Sequence, residues 1–172
     1  MKRMKAVSKL LLLGMVIGAV LELSRTPAAD AVVRARTIED VIFDGARKHG
    51  NPAIVSRCLA LIESGGNPEA VNINRTGGWS NADVGLYQLN VRTLKGYGVK
   101  PSDALSNVEL NADLGNRHLR QQFEWATGAT KYERWLKALA AYNAGQGNWK
   151  VGLPHAHKVL GCVQKELAEL NL

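Results

Sequence analysis

The stretch of sequence that decides the fold is residues 51–66, which read NPAIVSRCLALIESGG. Asn51-Pro52 opens a helix, because Pro is favoured at the first helical position, where its missing N–H needs no partner. The apolar side chains that follow recur at helical spacing and predict one buried face: Ile54, Val55, Cys58, Leu59 and Ile62. The pair Gly65-Gly66 ends this helix, since glycine readily takes the left-handed conformation found at helix ends.

Outward from this segment the chain reads as further helices. Capping residues predict where three of them begin, in the pairs Thr37 with Asp40, Ser106 with Glu109 and Thr130 with Glu133. The apolar face of the last of these includes Tyr132, Trp135, Leu136, Leu139 and Tyr142, and a final helix carries Val159, Leu160, Val163, Leu167 and Leu170. Segment 72–85 is rich in Gly and Asn and suits a turn or small hairpin. The prediction is a single, mainly α domain.

Glu63 lies near the end of the helix in residues 51–66, four residues after Leu59 and eight after Val55. It therefore extends the edge of the apolar stripe and lies at the negative end of the helix dipole. Both surroundings disfavour the ionised carboxylate, and a carboxyl that stays protonated near neutral pH can act as a general acid. A solvated Glu near a helix end has the same spacing, so position alone leaves both interpretations open.

Residues 85–90 read GLYQLN and place two amide side chains two residues apart. If this segment is extended, Gln88 and Asn90 face the same side and can bind sugar hydroxyl and acetamido groups. The alternative is turn chemistry, because Asn and Gly favour loops.

Residues 140–145 read AAYNAG and close the fourth helix. Tyr142 shares a helical face with Trp135 and Leu139, so its ring is expected in the core and its hydroxyl needs a partner. A buried carboxyl would be such a partner, and a backbone carbonyl is the alternative.

The N-terminus resembles a secretory signal peptide. Residues 1–9 carry four basic side chains, and the apolar run 10–21 has 12 residues, short of the roughly 20 that span a bilayer as a helix. Ala29-Asp30-Ala31 supplies a small-x-small exit, so we expect residues 1–31 to be removed and residues 32–172 to form the working domain. The alternative is an uncleaved segment that anchors the protein to the membrane.

The charge of the chain is divided between this leader and the domain. The net charge of +7 and the pI of 9.6 invite a nucleic-acid interpretation, but residues 1–31 hold five basic and two acidic side chains. Residues 32–172 then retain a net charge of +4. This mild excess does not predict nucleic-acid binding.

Cys58 and Cys162 are the only cysteines in the sequence. In an oxidising compartment they can form one disulfide. Alternatively, Cys58 is a small buried apolar side chain on its helical face.

Three segments together carry a family resemblance. They are residues 63–68, ESGGNP, followed by AVN at 70–72; residues 85–88, GLYQ; and residues 141–145, AYNAG. In this order they resemble the motifs of lytic transglycosylases with the soluble-lytic-transglycosylase domain, over about residues 38–149. The segment 72–84 is more similar to the small members that accompany secretion and conjugation machines. Tyr87 stands where the family usually has Met, which bears on the preference for particular sugars.

The resemblance implies a lysozyme-like α fold with a short hairpin beside a cleft, and cleavage of the MurNAc–GlcNAc β-1,4 bond of peptidoglycan in the periplasm. It implies that Glu63 protonates the glycosidic oxygen and then, as carboxylate, deprotonates the MurNAc C6 hydroxyl. That hydroxyl closes onto C1 and gives a 1,6-anhydro sugar without water. The family needs no cofactor or metal, and we expect a monomer.

The motif positions also imply roles for other residues. Ser64 orients the acid, Tyr142 holds Glu63, and the sugar is bound by Gln88, Asn90 and Asn143. Asp83 is the candidate for a second carboxylate, because ordinary glycosidases use a carboxylate pair; its alternative role is capping a turn.

Weaker candidates lie outside these motifs. His155 and His157 do not share one helical face, so a metal site is not expected. Trp79 is a candidate for stacking on a sugar, whereas the other tryptophans are assigned to packing: Trp125, Trp135 and Trp149. A basic face attracted to an acidic wall polymer is a further candidate, formed by Lys95, Lys100, Arg117 and Arg120.

Two other functions are compatible with the same sequence features. A hydrolase similar to goose-type lysozyme would cleave the same bond with water, positioned by Asp83 or a neighbour. A wall-binding adaptor would keep the groove without catalysis. Possible partners besides peptidoglycan are the proteins of an envelope-spanning secretion or conjugation apparatus.

Overall fold

Helices build most of the described part of the chain. The computed structural model describes residues 35–73 and 77–170, so the predicted signal peptide lies outside the described residues. Residues from Arg36 onward belong to one structural unit. Its helices are α1 (Ile38–His49), α2 (Ala53–Ser64), α3 (Val91–Gly96), α4 (Pro101–Ser106), α5 (Val108–Trp125), α6 (Lys131–Ala144) and α7 (Leu153–Glu169).

The helix ends follow the capping chemistry, with two shifts. Capping boxes form at Thr37 and Thr130, as predicted. Pro52 is the N-cap of α2 and not its first helical residue, because its ψ of 127° is extended. Asn107, and not Ser106, caps α5, since its side chain accepts a hydrogen bond from the Leu110 N–H. Gly65, with φ +67°, ends α2.

A small antiparallel sheet follows α2. It has the order β1 (Val71–Ile73), β2 (Ala82–Val84) and β3 (Leu89–Asn90), which confirms a short hairpin beside the helices. The register pairs Asp83 with Asn72 on one side and with Asn90 on the other. A single 3₁₀ turn (Gly78–Asn81) precedes β2, and a longer 3₁₀ segment (Gln146–Gly152) links α6 to α7.

The five longer helices contact one another in a closed ring. Helix α1 packs on α5, α5 on α6, α6 on α7, α7 on α2, and α2 on α1. Fully buried side chains from these helices fill the centre, among them Leu59, Leu119, Leu139 and Val159. The predicted fold class, mainly α with a lysozyme-like domain, is confirmed.

Some apolar residues lie outside this core. Ile62, Tyr132 and Leu170 are exposed, although helical spacing predicted them on buried faces. Ile62 lies in the last turn of α2, Tyr132 in the first turn of α6, and Leu170 directly after the end of α7. Fewer neighbouring helices cover side chains at these positions. The three tryptophans assigned to packing lie in the core or against it: Trp125, Trp135 and Trp149.

Tyr87 is the largest fully buried side chain in the described part of the chain, and its hydroxyl contacts the side chains of Ser56 and Asn116. Tyr87 Oη lies 2.6 Å from Ser56 Oγ, Ser56 Oγ donates to Asn116 Oδ1 at 2.6 Å, and Asn116 Nδ2 donates back to Tyr87 Oη at 3.0 Å. Burial raises the pKa of Tyr87 to about 12. The ring fits because Gly115 faces it, where a Cβ would lie 2.3 Å from Tyr87 Cγ.

The cysteines join two helices of the ring. Cys58 of α2 and Cys162 of α7 are bonded, with their Cα atoms 5.8 Å apart. Ion pairing adds to this link, because Arg57 of α2 contacts Glu166 of α7. In residues 35–73 and 77–170, none of the helices combines the length and the apolar character needed to cross a membrane.

We expect Tyr87→Phe to lower the free energy of unfolding by about 1–3 kcal/mol, because it leaves buried polar groups of Ser56 and Asn116 without a partner. Urea unfolding of wild type and variant measures the loss. Tyr132→Phe is the matched control, since the Tyr132 side chain lies at the surface and is 50% exposed. Equal losses in the two variants would contradict the stabilising role of the buried network.

Candidate active site

A cleft of about 1060 Å³ runs between the sheet and the helix ring. Side chains from α2, the sheet, α5 and the end of α6 line it: Glu63, Asn72, Asp83, Gln88, Asn90, His118, Gln122, Tyr142 and Asn143, among others. Most of these are neutral hydrogen-bonding groups. Such a lining suits an uncharged polar polymer such as a glycan.

Glu63 lies in this cleft near the C-terminal end of α2. Its side chain is 13% exposed, and Oε1 lies 3.0 Å from Nε2 of His155. The helix places it there because its preceding turns, at Val55 and Leu59, are buried in the core. A mostly covered carboxyl that still opens to a cleft is the arrangement that general acid catalysis needs.

The sheet contributes a row of polar side chains to the cleft. Strand β2 alternates, with Ala82 and Val84 buried and Asp83 between them facing the cleft. Asn72 and Asn90 are its cross-strand neighbours and also line the cleft. Asn90 Nδ2 donates to Asp83 Oδ1 at 2.7 Å, so the predicted second carboxylate is tied to a predicted sugar-binding residue.

Gln88 lines the cleft from a turn, and not from the extended segment that the sequence predicted. It is not part of an extended strand that shares a face with Asn90, because its backbone is left-handed, with φ +44°. Its Nε2 donates to the carbonyls of Ala70 at 3.1 Å and Gly85 at 2.9 Å. Gln88 therefore holds the loop in place, and its side-chain oxygen is the atom that remains for a ligand among the described contacts.

Tyr142 lies in the cleft wall with its hydroxyl turned to the backbone. The hydroxyl donates to the Tyr87 carbonyl at 2.8 Å, so the expected hydrogen bond to Glu63 is replaced by one to a carbonyl oxygen. Burial, with the carboxylate of Glu63 as a further cause, raises the pKa of Tyr142 well above its usual range. Tyr142 thus stays protonated and neutral beside Glu63. Asn143, the next residue, is exposed at the cleft.

Ser64 does not line the cleft. Its hydroxyl donates to the Leu86 carbonyl at 2.8 Å, which ties the end of α2 to the loop of residues 85–88. Ser64 therefore acts on Glu63 through the backbone and not through a described hydrogen bond to the carboxyl.

Two histidines that the sequence motifs did not assign to the site lie in or beside it. His118 lines the cleft, and its ring packs edge-on against Tyr142 at 5.1 Å between centroids. Burial lowers the pKa of His118 from 6.5 to about 4, so its imidazole is neutral at pH 7. His155 contacts Glu63 from α7. Helical spacing could have predicted that His155 faces α2. It precedes Val159 by four residues and Cys162 by seven, so the three share one face of α7, and Cys162 is bonded to Cys58 of α2.

The remaining candidates lie elsewhere. Trp79, 51% exposed, lines a separate groove of about 630 Å³ together with Lys95 and Lys100. The two basic side chains on α5 contact neighbouring residues. The Arg117 guanidinium lies over the Tyr97 ring, and Arg120 forms an ion pair with Glu124. Within residues 35–73 and 77–170, no cluster of His, Cys, Asp or Glu is arranged to hold a metal.

The fold and the cleft together define a class of protein, a lysozyme-like α domain with a mostly covered glutamate at the end of a helix. The family model described as the transglycosylase SLT domain matches residues 40–156, more than half of the chain. The protein belongs to this family of lytic transglycosylases, which act on peptidoglycan. This confirms the resemblance inferred from the three motifs. A search of curated proteins returned no match.

The lowered pKa of His118 predicts a pH-dependent stability. Between pH 6.5 and about 4 the unfolded chain binds a proton on this side chain that the folded protein does not, so stability falls as pH falls through that window. We expect His118 to account for up to about 3 kcal/mol of this loss. Urea unfolding at pH 7 and at pH 4.5 measures it.

The matched variants for this measurement are His118→Gln and His157→Gln. The first removes the buried imidazole and should lose less stability on acidification than wild type does. The second changes an exposed histidine and should behave as wild type. Identical pH slopes for wild type and His118→Gln would show that His118 titrates normally.

Proposed function

We propose that the protein is an exported lytic transglycosylase that cleaves the MurNAc–GlcNAc β-1,4 bond of peptidoglycan, with Glu63 as acid and then base. The observation that carries the proposal is the mostly covered carboxyl of Glu63 in a cleft lined by neutral hydrogen-bonding groups. Membership of the SLT family supports the same reaction class.

Glu63 accounts for both proton transfers. Its carboxyl donates a proton to the glycosidic oxygen as the bond to MurNAc C1 breaks. The resulting carboxylate takes the proton of the MurNAc C6 hydroxyl as that oxygen bonds to C1. Glu63 ends in its starting protonation state, and the product is a 1,6-anhydro sugar formed without water.

The sugar is bound by neutral donors and acceptors around Glu63. Asn143 offers its amide at the cleft, and Gln88 offers its side-chain oxygen. Tyr142 contributes a ring wall, because its hydroxyl is already bonded to Tyr87. Ser64 acts as a support for the loop that carries Gln88.

We place the protein in the periplasm, supported by the leader in residues 1–31 and the two cysteines. Anchoring by an uncleaved leader is the alternative arrangement. The net charge of +4 in residues 32–172 suits an anionic wall polymer. Opening the wall for a secretion or conjugation apparatus is the proposed setting, and it rests on the similarity of segment 72–84 alone.

A hydrolase of the same bond is the second candidate, favoured by one observation. Asp83 lies in the same cleft as Glu63, and a second carboxylate can activate water in an inverting glycosidase. The hydrogen bond from Asn90 and the cross-strand pairing hold Asp83 within the sheet. We therefore assign Asp83 to shaping the cleft and expect no role for it in proton transfer.

Digestion of isolated peptidoglycan, followed by mass spectrometry of the soluble products, tests this proposal. We expect wild type to release fragments ending in 1,6-anhydroMurNAc and Glu63→Gln to lose on the order of 10²–10⁴-fold in rate. Glu69→Gln is the matched control, since Glu69 is exposed and does not line the cleft.

The other outcomes separate the alternatives. Reducing ends that carry one added water indicate a hydrolase, and Asp83→Asn should then abolish release. With the proposed reaction, Asp83→Asn keeps the anhydro product. Binding of wild type to peptidoglycan without any release indicates a non-catalytic adaptor.

A further inference from the structure

Helix α7 brings His155 against Glu63. Nε2 of His155 lies 3.0 Å from Oε1 of Glu63, and the two side chains are 15% and 13% exposed. Contacts this close between two covered polar groups are strong in a protein interior, since little water competes for either partner.

The ring nitrogens of His155 are short of hydrogen bonds within residues 35–73 and 77–170. Both are buried, and neither makes an aligned hydrogen bond with any residue in the described part of the chain. Leaving a buried donor unsatisfied is costly, and Oε1 of Glu63 is an acceptor that lies 3.0 Å from Nε2. Catalytic hydrogen bonds are often poorly aligned without substrate and tighten when it binds.

Further links hold α7 against α2 along the same line. From Glu63 backward on α2, and from His155 forward on α7, the contacts are Glu63 with His155, Cys58 with Cys162, and Arg57 with Glu166. The disulfide and the ion pair thus fix the two helices to each other close to the site. His155 therefore contacts Glu63 from a helix, α7, that is covalently and ionically joined to α2.

We propose that His155 is a positioning residue for Glu63, and this inference rests on the proposed function. Its Nε2–H donates a hydrogen bond to Oε1 and fixes the carboxyl plane. The other oxygen, Oε2, then gives its proton to the glycosidic oxygen and later takes the proton of the C6 hydroxyl. His155 keeps its own proton throughout, so the proton balance involves Glu63 and substrate alone.

Two variants of His155 separate positioning from simple packing. His155→Leu removes the donor and keeps an apolar side chain, and we expect kcat to fall on the order of 10–100-fold with KM little changed. His155→Gln places an amide N–H near the position of Nε2 and should restore most of the lost kcat. His157→Leu, two residues away and exposed, is the matched control and should keep the wild-type rate.

Thermal unfolding of the same variants completes the kinetic test. Loss of kcat in His155→Leu at an unchanged melting temperature, with recovery in His155→Gln, supports the proposal. A wild-type rate in His155→Leu overturns it, as does an equal loss in both variants. Release of anhydro products by wild type is the prior condition, and its absence overturns the proposed function instead.

Nitrogen NMR of the histidine rings tests the contact without any activity. We expect Glu63→Gln to shift the ring signals of His155 and to leave those of His157 unchanged. Unshifted His155 signals would show that the contact does not form in solution and would overturn the proposal independently of the reaction.

Discussion

The complete hydrogen bonding of Tyr87 is the constraint on which the site depends. Its hydroxyl closes a buried ring of hydrogen bonds with Ser56 of α2 and Asn116 of α5, its N–H donates to Asn111, and its carbonyl accepts the hydroxyl of Tyr142. Three helices, α2, α5 and α6, are therefore fixed to one residue at the start of the Gln88 turn. Because a buried polar group without a partner costs about 1–3 kcal/mol, these elements keep a common geometry. Residues of these elements line the cleft, among them Glu63 of α2, His118 of α5 and Gln88.

The cleft itself is built by side chains that serve both structure and binding. Gln88 and Asn90 carry amides suited to sugars, yet Gln88 holds the carbonyls of Ala70 and Gly85, and Asn90 caps α3 and bonds Asp83. Their remaining hydrogen-bonding atoms are consequently pre-oriented before a ligand arrives, which reduces the entropy lost on binding. Glu63 differs, because its contact is to another ionisable side chain, His155, on a helix braced by the disulfide.

Particular residues show which structural features could be predicted from the sequence and which could not. The capping boxes at Thr37 and Thr130, the buried stripe of α2 and the short hairpin followed from local chemistry, and the three motifs predicted the family. Local spacing failed at Ile62 and Tyr132, because burial depends on which neighbours cover a helix end. It also failed for the hydroxyl of Tyr142, since a buried donor takes whichever acceptor packing brings closest, here the Tyr87 carbonyl.

By itself, the sequence determined the five longer helices but not the short α3 and α4, and it determined the place of Glu63 at the end of α2 and the membership of the SLT transglycosylase family. These are properties of short segments, fixed by backbone propensity, capping and apolar spacing. Only the tertiary structure decided the neighbours of Glu63. His155 lies 92 positions further along the chain, and its approach to 3.0 Å depends on how α7 docks on α2. Distances between remote segments are set by packing of the whole core, which no local pattern encodes.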